Sequence, residues 1–144
     1  MKKQFLLSAL LPALAIAIAA VGYTQTSQQR AAASLAGVWK GHFPEAPAVP
    51  AVELTLKVQS GKPAGTVIFY KVVTSGAGGE IKGKGEGPLI DPVFDGQVLA
   101  FQAKRPDGSL FTVKVKFVAE NEAVLSSPDQ HTGDELAMTL RREK

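Results

Sequence analysis

Few residues in this sequence have the types and spacing that support catalysis or metal binding. The two histidines are His42 and His131. A ligand role for His42 would need partners brought to it by the fold, so a solvated strand residue is the expected role. The segment PDQHTGDE at 128–135 brings Asp129, His131, Asp134 and Glu135 together. That segment lacks the regular ligand spacing of an EF-hand loop. It is more typical of a polar hairpin loop than of a cation site.

The sequence also lacks the motifs that surround a catalytic serine or cysteine. Ser126 and Ser127 do not lie in a G-x-S-x-G segment, which is the turn that exposes a catalytic serine. The chain has no cysteine, which excludes disulfides, thiolate metal sites, a cysteine nucleophile and a lipoprotein anchor. None of the glycine runs follows a strand and begins a helix, as a phosphate-binding loop does. We therefore predict a protein that is not an enzyme and has no metal and no cofactor.

The charge distribution argues against nucleic acid as a partner. The 144 residues carry 16 Lys and Arg against 13 Asp and Glu, but Lys2, Lys3 and Arg30 precede residue 35, so the remainder is balanced. Nucleic-acid binding needs basic residues gathered on one face. Here the lysines alternate with apolar residues, as in TVKVKF at 112–117, which is typical of a solvated sheet face.

The N-terminal sequence has the layout of a secretory signal peptide. Two lysines are followed by an apolar run from Phe5 to Val21 and then by small residues. The run is shorter than the roughly 20 apolar residues that a spanning helix needs. We predict a signal peptide at 1–22, and the alternative is an uncleaved N-terminal anchor. Both readings place the domain outside the cytoplasm, either periplasmic or secreted.

Two further regions follow the leader. Residues 23–34, YTQTSQQRAAAS, lack apolar periodicity and are rich in Gln, Ser and Thr, which predicts a flexible linker. The remaining chain, 35–144, has room for one ordinary domain.

Within 35–144 the dominant hydrophobic period is two, the pattern of strands with one apolar and one polar face. VELTLKVQ at 52–59 shows it, as do LFTVKVKFVA at 110–119 and ELAMTLRR at 135–142. Turn signals such as SGKP, DG and PDG separate the runs. We predict eight strands at about 36–43, 51–59, 65–73, 88–94, 97–104, 110–119, 122–127 and 134–142, with a ninth at 80–85 if the weak EIKGKG segment counts.

The connections between these runs decide the sheet type. Most are too short for the crossovers of about a dozen residues that parallel strands require, so the sheet is predicted to be an antiparallel meander. A meander with one apolar face buries it by closing into a barrel or by splitting into a sandwich. Sequential hairpins favour an all-β, antiparallel, up-and-down β-barrel of about eight strands.

The segment LAGVWKG at 35–41 adds a family resemblance. Gly37-x-Trp39 at the start of the first strand resembles the signature of the lipocalin and calycin families, and the wider pattern resembles small exported β-barrel domains of unknown function in bacteria. The resemblance implies that Gly37 permits a tight bend and that Trp39 plugs the closed end of the barrel. It also implies that Arg141 or Arg142, near the end of the last strand, lies across the Trp39 ring as a cation–π pair.

The same architecture suggests where a ligand would bind. Bulky inward-facing residues either line a cavity or fill the interior, since barrels of about eight strands have room for one small ligand at most. The possible lining residues are Leu54, Leu56, Phe101, Phe111, Val113, Val115, Phe117 and Met138, with Leu136 and Leu140 on the same face. The connection FPEAPAVPA at 43–51 carries Pro44, Pro47 and Pro50 and is predicted to be extended. It is either a lid over the barrel mouth or a stiff surface spacer.

We therefore expect a non-covalent binding protein that holds a small hydrophobic ligand. The alternative is a packed structural or interaction module whose partner is an envelope protein. Neither reading involves nucleic acid, and contact with a membrane is expected only through the leader if it is not cleaved.

Overall fold

A computed structural model describes residues 34–75, 78–129 and 132–144. The predicted signal peptide, the linker before Ser34, and His131 lie outside the described residues. The described chain forms nine β-strands and no helix. They are β1 (Gly37–Gly41), β2 (Val52–Gln59), β3 (Lys62–Ser75), β4 (Gly78–Pro88), β5 (Ile90–Phe94), β6 (Val98–Lys104), β7 (Leu110–Ala119), β8 (Glu122–Pro128) and β9 (Glu135–Arg142).

The strands form where side chains alternate between an apolar and a polar face. In β2, Val52, Leu54 and Leu56 are buried, whereas Glu53 and Thr55 between them are partly exposed. The β2–β3 hairpin turns at Ser60 and Gly61, which both have positive φ angles of 51° and 75°. Such a two-residue turn matches the natural twist of the flanking strands. The predicted all-β class is confirmed.

All nine strands belong to one antiparallel sheet in the order β4-β3-β2-β1-β9-β8-β7-β6-β5. Every strand pairs with its neighbour in the sequence except at one junction, between β4 and β5, and β1 pairs with β9. The meander is therefore wrapped around so that the first and last strands meet. The sandwich alternative is wrong for the described residues, because they form a single sheet.

The expected closed barrel of about eight strands needs correction. The structure has nine strands, and β4 and β5 are the two edges of the sheet with no ladder between them. Since each neighbouring pair is antiparallel and eight pairings separate them, β4 and β5 run in the same direction. Only Leu89 connects them, so the chain cannot turn back to make an antiparallel pair. Instead, the amide of Leu89 donates to the carbonyl of Gly65 on β3 at 3.0 Å.

The sheet nevertheless curls around a single core. Buried residues from seven of the nine strands belong to one hydrophobic cluster. The rings of Phe69 on β3 and Phe111 on β7 lie 5.5 Å apart between centroids, although four strands separate β3 from β7 in the sheet. Contact over that separation requires the apolar face to fold onto itself.

One glycine allows β2 and β3 to approach closely. Gly65 has a φ of +153°, and a Cβ built there would lie 1.8 Å from the carbonyl oxygen of Thr55 on β2. The two backbones approach so closely that no side chain fits between them.

The edge strand β4 is polar and glycine-rich. Its Lys82 pairs with Glu80 at 2.7 Å, and Lys84 pairs with Glu86 at 3.1 Å. Charged side chains on an edge discourage further strand addition.

Within the described part of the chain, we find no helix with the length and apolar character needed to cross a bilayer.

Candidate functional site

A pocket of about 460 Å³ lies at the end of the sheet where β1, β2, β3, β8 and β9 meet the 42–51 loop; we call it the open-end pocket. Its lining residues are His42, Phe43, Pro44, Ala51, Val52, Phe69, Tyr70, Leu125, Ser127, Leu136, Ala137, Met138 and Thr139. Nine of these thirteen are apolar, and none is Asp, Glu, Lys or Arg. Small-molecule sites are typically concave, mostly apolar and a few hundred Å³ in volume.

The solvent exposure of the lining residues increases from the base of the pocket to its mouth. Val52 and Leu125 belong to the buried core. Phe69 and Met138 are half-buried and pack against that core. Leu136 is 54% exposed at the mouth. An apolar molecule entering here would therefore contact a surface continuous with the hydrophobic core.

A missing side chain on β1 shapes the base of the pocket. Gly41 is buried, and a Cβ added there would lie 2.5 Å from Met138 Sδ and 2.8 Å from Leu140 Cδ2. Because Gly41 has no side chain, Met138 can lie over the β1 backbone. Methionine adapts its shape readily to an apolar partner, so Met138 is suited to contact a ligand.

The 42–51 loop borders the pocket, but it is not extended as the sequence predicts. Two successive turns at 44–45 and 47–48 fold it back on itself. Its Ala46 is 1% exposed, and a Cβ built on Gly79 of β4 would lie 2.5 Å from Ala46 Cβ. The prolines restrict φ but do not force a polyproline helix when turns and a docked alanine compete.

The three prolines predicted as a lid lie in different environments within this loop. Pro44 lines the pocket, whereas Pro47 is exposed and Pro50 is half-buried outside the lining. His42 Nδ1 lies 2.9 Å from the carbonyl oxygen of Val49. A carbonyl can only accept, so Nδ1 carries a proton and the contact ties the two ends of the loop together.

At the opposite end, which we call the tryptophan end, Trp39 is completely buried. Its Nε1 donates to the carbonyl of Leu35 at 3.0 Å, and its ring meets Phe117 edge-on with centroids 5.1 Å apart. Gly37 has a φ of +138°, a conformation that favours glycine, and it lies in the chain between the indole and the Leu35 carbonyl that accepts from it.

The two candidate arginines lie on different faces. The guanidinium of Arg142 is 4.6 Å from the Trp39 ring centroid, and its Nη2 donates to the carbonyl of Ser34. The Arg141 side chain is 74% exposed and pairs with Glu122 at 3.2 Å on the outer face. The alternation of β9 separates the two residues, so Arg142 alone covers the tryptophan.

The eight residues predicted to line a cavity also lie in different parts of the structure. Met138 lines the open-end pocket, and Phe117 contacts Trp39 at the tryptophan end. Phe111 is half-buried and packs on the core. The others are core residues with almost no exposed surface: Leu54, Leu56, Phe101, Val113 and Val115. They fill the interior of the curled sheet and leave no space for a ligand between them.

Eight of the thirteen pocket residues were not identified from the sequence: Phe43, Ala51, Val52, Phe69, Tyr70, Leu125, Ala137 and Thr139. Phe43 and Ala51 belong to the loop that was itself singled out as a lid, and Val52 directly follows it. Proximity to that loop is the sequence signal that could have found them.

Several aspartates form hydrogen bonds within turns. The carboxylate of Asp95 accepts from the amides of Val98 and Gln97, which lowers its pKa. The Ser109 hydroxyl and amide lower the pKa of Asp107 in the same way. The amide of Asp129 donates to the carbonyl of Asp134 across the β8–β9 hairpin. Among the described residues, no group of three His, Asp or Glu side chains is placed to hold a metal ion.

Comparison of the chain with protein-family models and with curated protein sequences finds no match.

Proposed function

We propose that this protein is an exported, lipocalin-like binding protein that holds a small apolar molecule in the open-end pocket without transforming it. One observation carries the proposal: a concave space of about 460 Å³ with nine apolar residues among its thirteen lining residues. Burying apolar surface there is favourable by about 25 cal/mol for each Å² removed from water.

The two ends of the sheet support different roles in this proposal. The tryptophan end is sealed by Trp39 under Leu35 and Arg142. The open end has exposed apolar side chains at its mouth, including Phe43 and Leu136. Exposed apolar side chains around a concave space are a feature of ligand-binding grooves.

The docked 42–51 loop supports a role at the pocket mouth. Pro44 and Phe43 line the pocket, while Ala46 anchors the loop against Gly79 on the edge strand. In this proposal the anchored part holds the loop in place and the Phe43–Pro44 part contacts the ligand.

The alternative function is a packed interaction module with no ligand. The five core residues Leu54, Leu56, Phe101, Val113 and Val115 favour it, because they leave no cavity around themselves. The two functions differ in whether the open-end pocket binds a probe saturably.

Export is part of the proposal and depends on residues 1–22, with their two lysines and apolar run. Mass spectrometry of cell fractions tests it. We expect the chain to be found outside the cytoplasm and to begin near residue 23. Recovery of the intact chain from the cytosol would contradict export but would leave the binding proposal standing.

The binding test is a titration of the full chain with N-phenyl-1-naphthylamine, an uncharged apolar probe that fluoresces in apolar surroundings. We expect saturable binding. Native mass spectrometry of protein purified from its source provides a second readout, in which a defined mass increase identifies a bound molecule. The absence of both signals would favour the packed module.

A pair of neighbouring serines provides a matched control. Ser127 lines the open-end pocket, whereas Ser126 points to the other face of β8, and both are half-buried. Ser127→Phe should fill the pocket and weaken probe binding by about tenfold or more, whereas Ser126→Phe should change it by less than about twofold. Equal effects of the two substitutions would place the bound probe elsewhere.

A further inference from the structure

We propose that the open-end pocket selects uncharged ligands and excludes carboxylates and ammonium ions. The inference rests on the proposed binding function and names its ligand class: molecules with an alkyl or ring body and a neutral polar group such as a hydroxyl or carbonyl. It follows from the chemistry of the pocket lining.

The polar groups of the lining are suited to a neutral partner. The hydroxyl of Ser127 faces inward, because Ser127 pairs with Leu136 on β9. The imidazole of His42 borders the pocket, whereas Tyr70 and Thr139 alternate with the inward-facing Phe69 and Met138 and contribute mainly backbone. A hydroxyl both donates and accepts a hydrogen bond, so it can satisfy an alcohol, ketone or ester. His42 has its Nδ1 engaged with the Val49 carbonyl, which leaves Nε2 as its free ring nitrogen.

A charged ligand would find no partner in this lining. An ionised group removed from water without a counter-charge is strongly disfavoured. A carboxylate would need an arginine or lysine, and an ammonium would need an acid, yet the thirteen lining residues include neither. The charged group of such a ligand would have to remain in water at the mouth of the pocket. It would then form no hydrogen bond with the polar groups of the lining.

Charged side chains of both signs lie around the pocket but outside its lining. Lys40, Arg141 and Glu143 share a neighbouring groove with the lining residues His42 and Thr139. The guanidinium of Arg105 lies 4.7 Å from the Phe111 ring centroid, and Phe111 packs against the lining residue Phe69. Arg105 is therefore separated from the pocket by two aromatic rings.

The test is a displacement experiment on the full chain with N-phenyl-1-naphthylamine bound. The competitors are 1-decanol, decanoate and decylammonium, which share one alkyl chain and differ in charge. The measurement is made at pH 8, where an imidazole carries little charge. We expect 1-decanol to displace the probe at concentrations about tenfold or more below those of either ion.

The outcomes separate the two proposals. If decanoate or decylammonium displaces the probe as well as 1-decanol does, the charge selection is overturned and the binding function stands. Failure of all three to displace a bound probe also overturns the ligand class. If the probe itself does not bind saturably, the binding function fails first.

An engineered cation provides a gain-of-function check. Leu136 is exposed at the mouth, so Leu136→Arg should fold normally and supply the missing counter-charge. We expect it to improve displacement by decanoate about tenfold relative to 1-decanol. Leu136→Gln, which is polar but uncharged, is the matched control and should leave the preference for 1-decanol in place. An unchanged preference in Leu136→Arg would contradict the inference.

Discussion

Replacing Trp39 with alanine should destabilise the domain more than any substitution of a surface residue. The indole is completely buried. It donates to the Leu35 carbonyl, packs edge-on against Phe117 and lies under the Arg142 guanidinium. Alanine would remove all three contacts and leave a cavity at the tryptophan end.

The magnitude follows from the buried area. A buried tryptophan removes about 150–250 Å² from water, which at about 25 cal/mol per Å² corresponds to about 4–6 kcal/mol. That figure is an upper bound, because unfolded chains already bury part of this surface. Truncation of large core aromatics costs about 3–5 kcal/mol, so we expect Trp39→Ala to lower the free energy of unfolding by about 4 kcal/mol.

A milder variant separates packing from hydrogen bonding. Trp39→Phe keeps an aromatic ring but removes the N–H donor to the Leu35 carbonyl. An unsatisfied buried acceptor costs about 1–3 kcal/mol, so Trp39→Phe should fall between the wild type and Trp39→Ala.

The assay is urea unfolding at 25 °C followed by far-ultraviolet circular dichroism, because both variants lack the single tryptophan. Arg141→Ala is the control, since Arg141 is exposed and should contribute at most about 0.5 kcal/mol. A loss below about 1 kcal/mol for Trp39→Ala would refute the conclusion that the tryptophan end is a packed seal.

The remaining stability predictions concern a cation, a glycine and a carboxylate. Arg142→Ala should lower the free energy of unfolding by about 1–2 kcal/mol through loss of the cation–π contact, and a loss no larger than that of Arg141→Ala would contradict the assignment. Gly65→Ala should prevent normal folding, judged by loss of cooperative urea unfolding, because its Cβ would collide with the Thr55 carbonyl; Gly83→Ala, with open space around it, should remain near the wild type. Asp95 has a lowered pKa because the Val98 and Gln97 amides donate to it, so its contribution is present above about pH 4 and is lost as the pH falls through the folded pKa. The difference in urea midpoint between the wild type and Asp95→Asn should therefore shrink from pH 7 to pH 3, and a constant difference would contradict this origin.

The sequence predicted strands best where one face is apolar. The alternation in 51–59 and 110–119 located β2 and β7 to within a residue or two. β4 was the weakest prediction, because its glycines and charges show no apolar face. It is an edge strand that pairs through its backbone with β3, and backbone pairing leaves little trace in side-chain periodicity.

The same limit applies to the candidate site. Alternation shows which side chains face inward but does not show how far each lies from the ends of the sheet. Leu54 and Met138 both face inward, yet Leu54 is in the packed interior and Met138 lines the open-end pocket. Depth depends on the register between strands, and register is set by tertiary pairing as well as by turns.

The β1–β9 ladder has a consequence for the order in which the molecule assembles. Every other ladder in the described sheet joins strands that are consecutive in the chain, whereas here Trp39 pairs with Arg142. The hairpins of β1–β4 and those of β5–β9 can each form from local contacts. Trp39 is not covered by Arg142 until β9 pairs with β1. A circular permutant that begins at Leu89, ends at Pro88 and links Lys144 to Ser34 would make every ladder local. Since local contacts speed folding, the permutant should refold faster than the natural chain while keeping the same sheet.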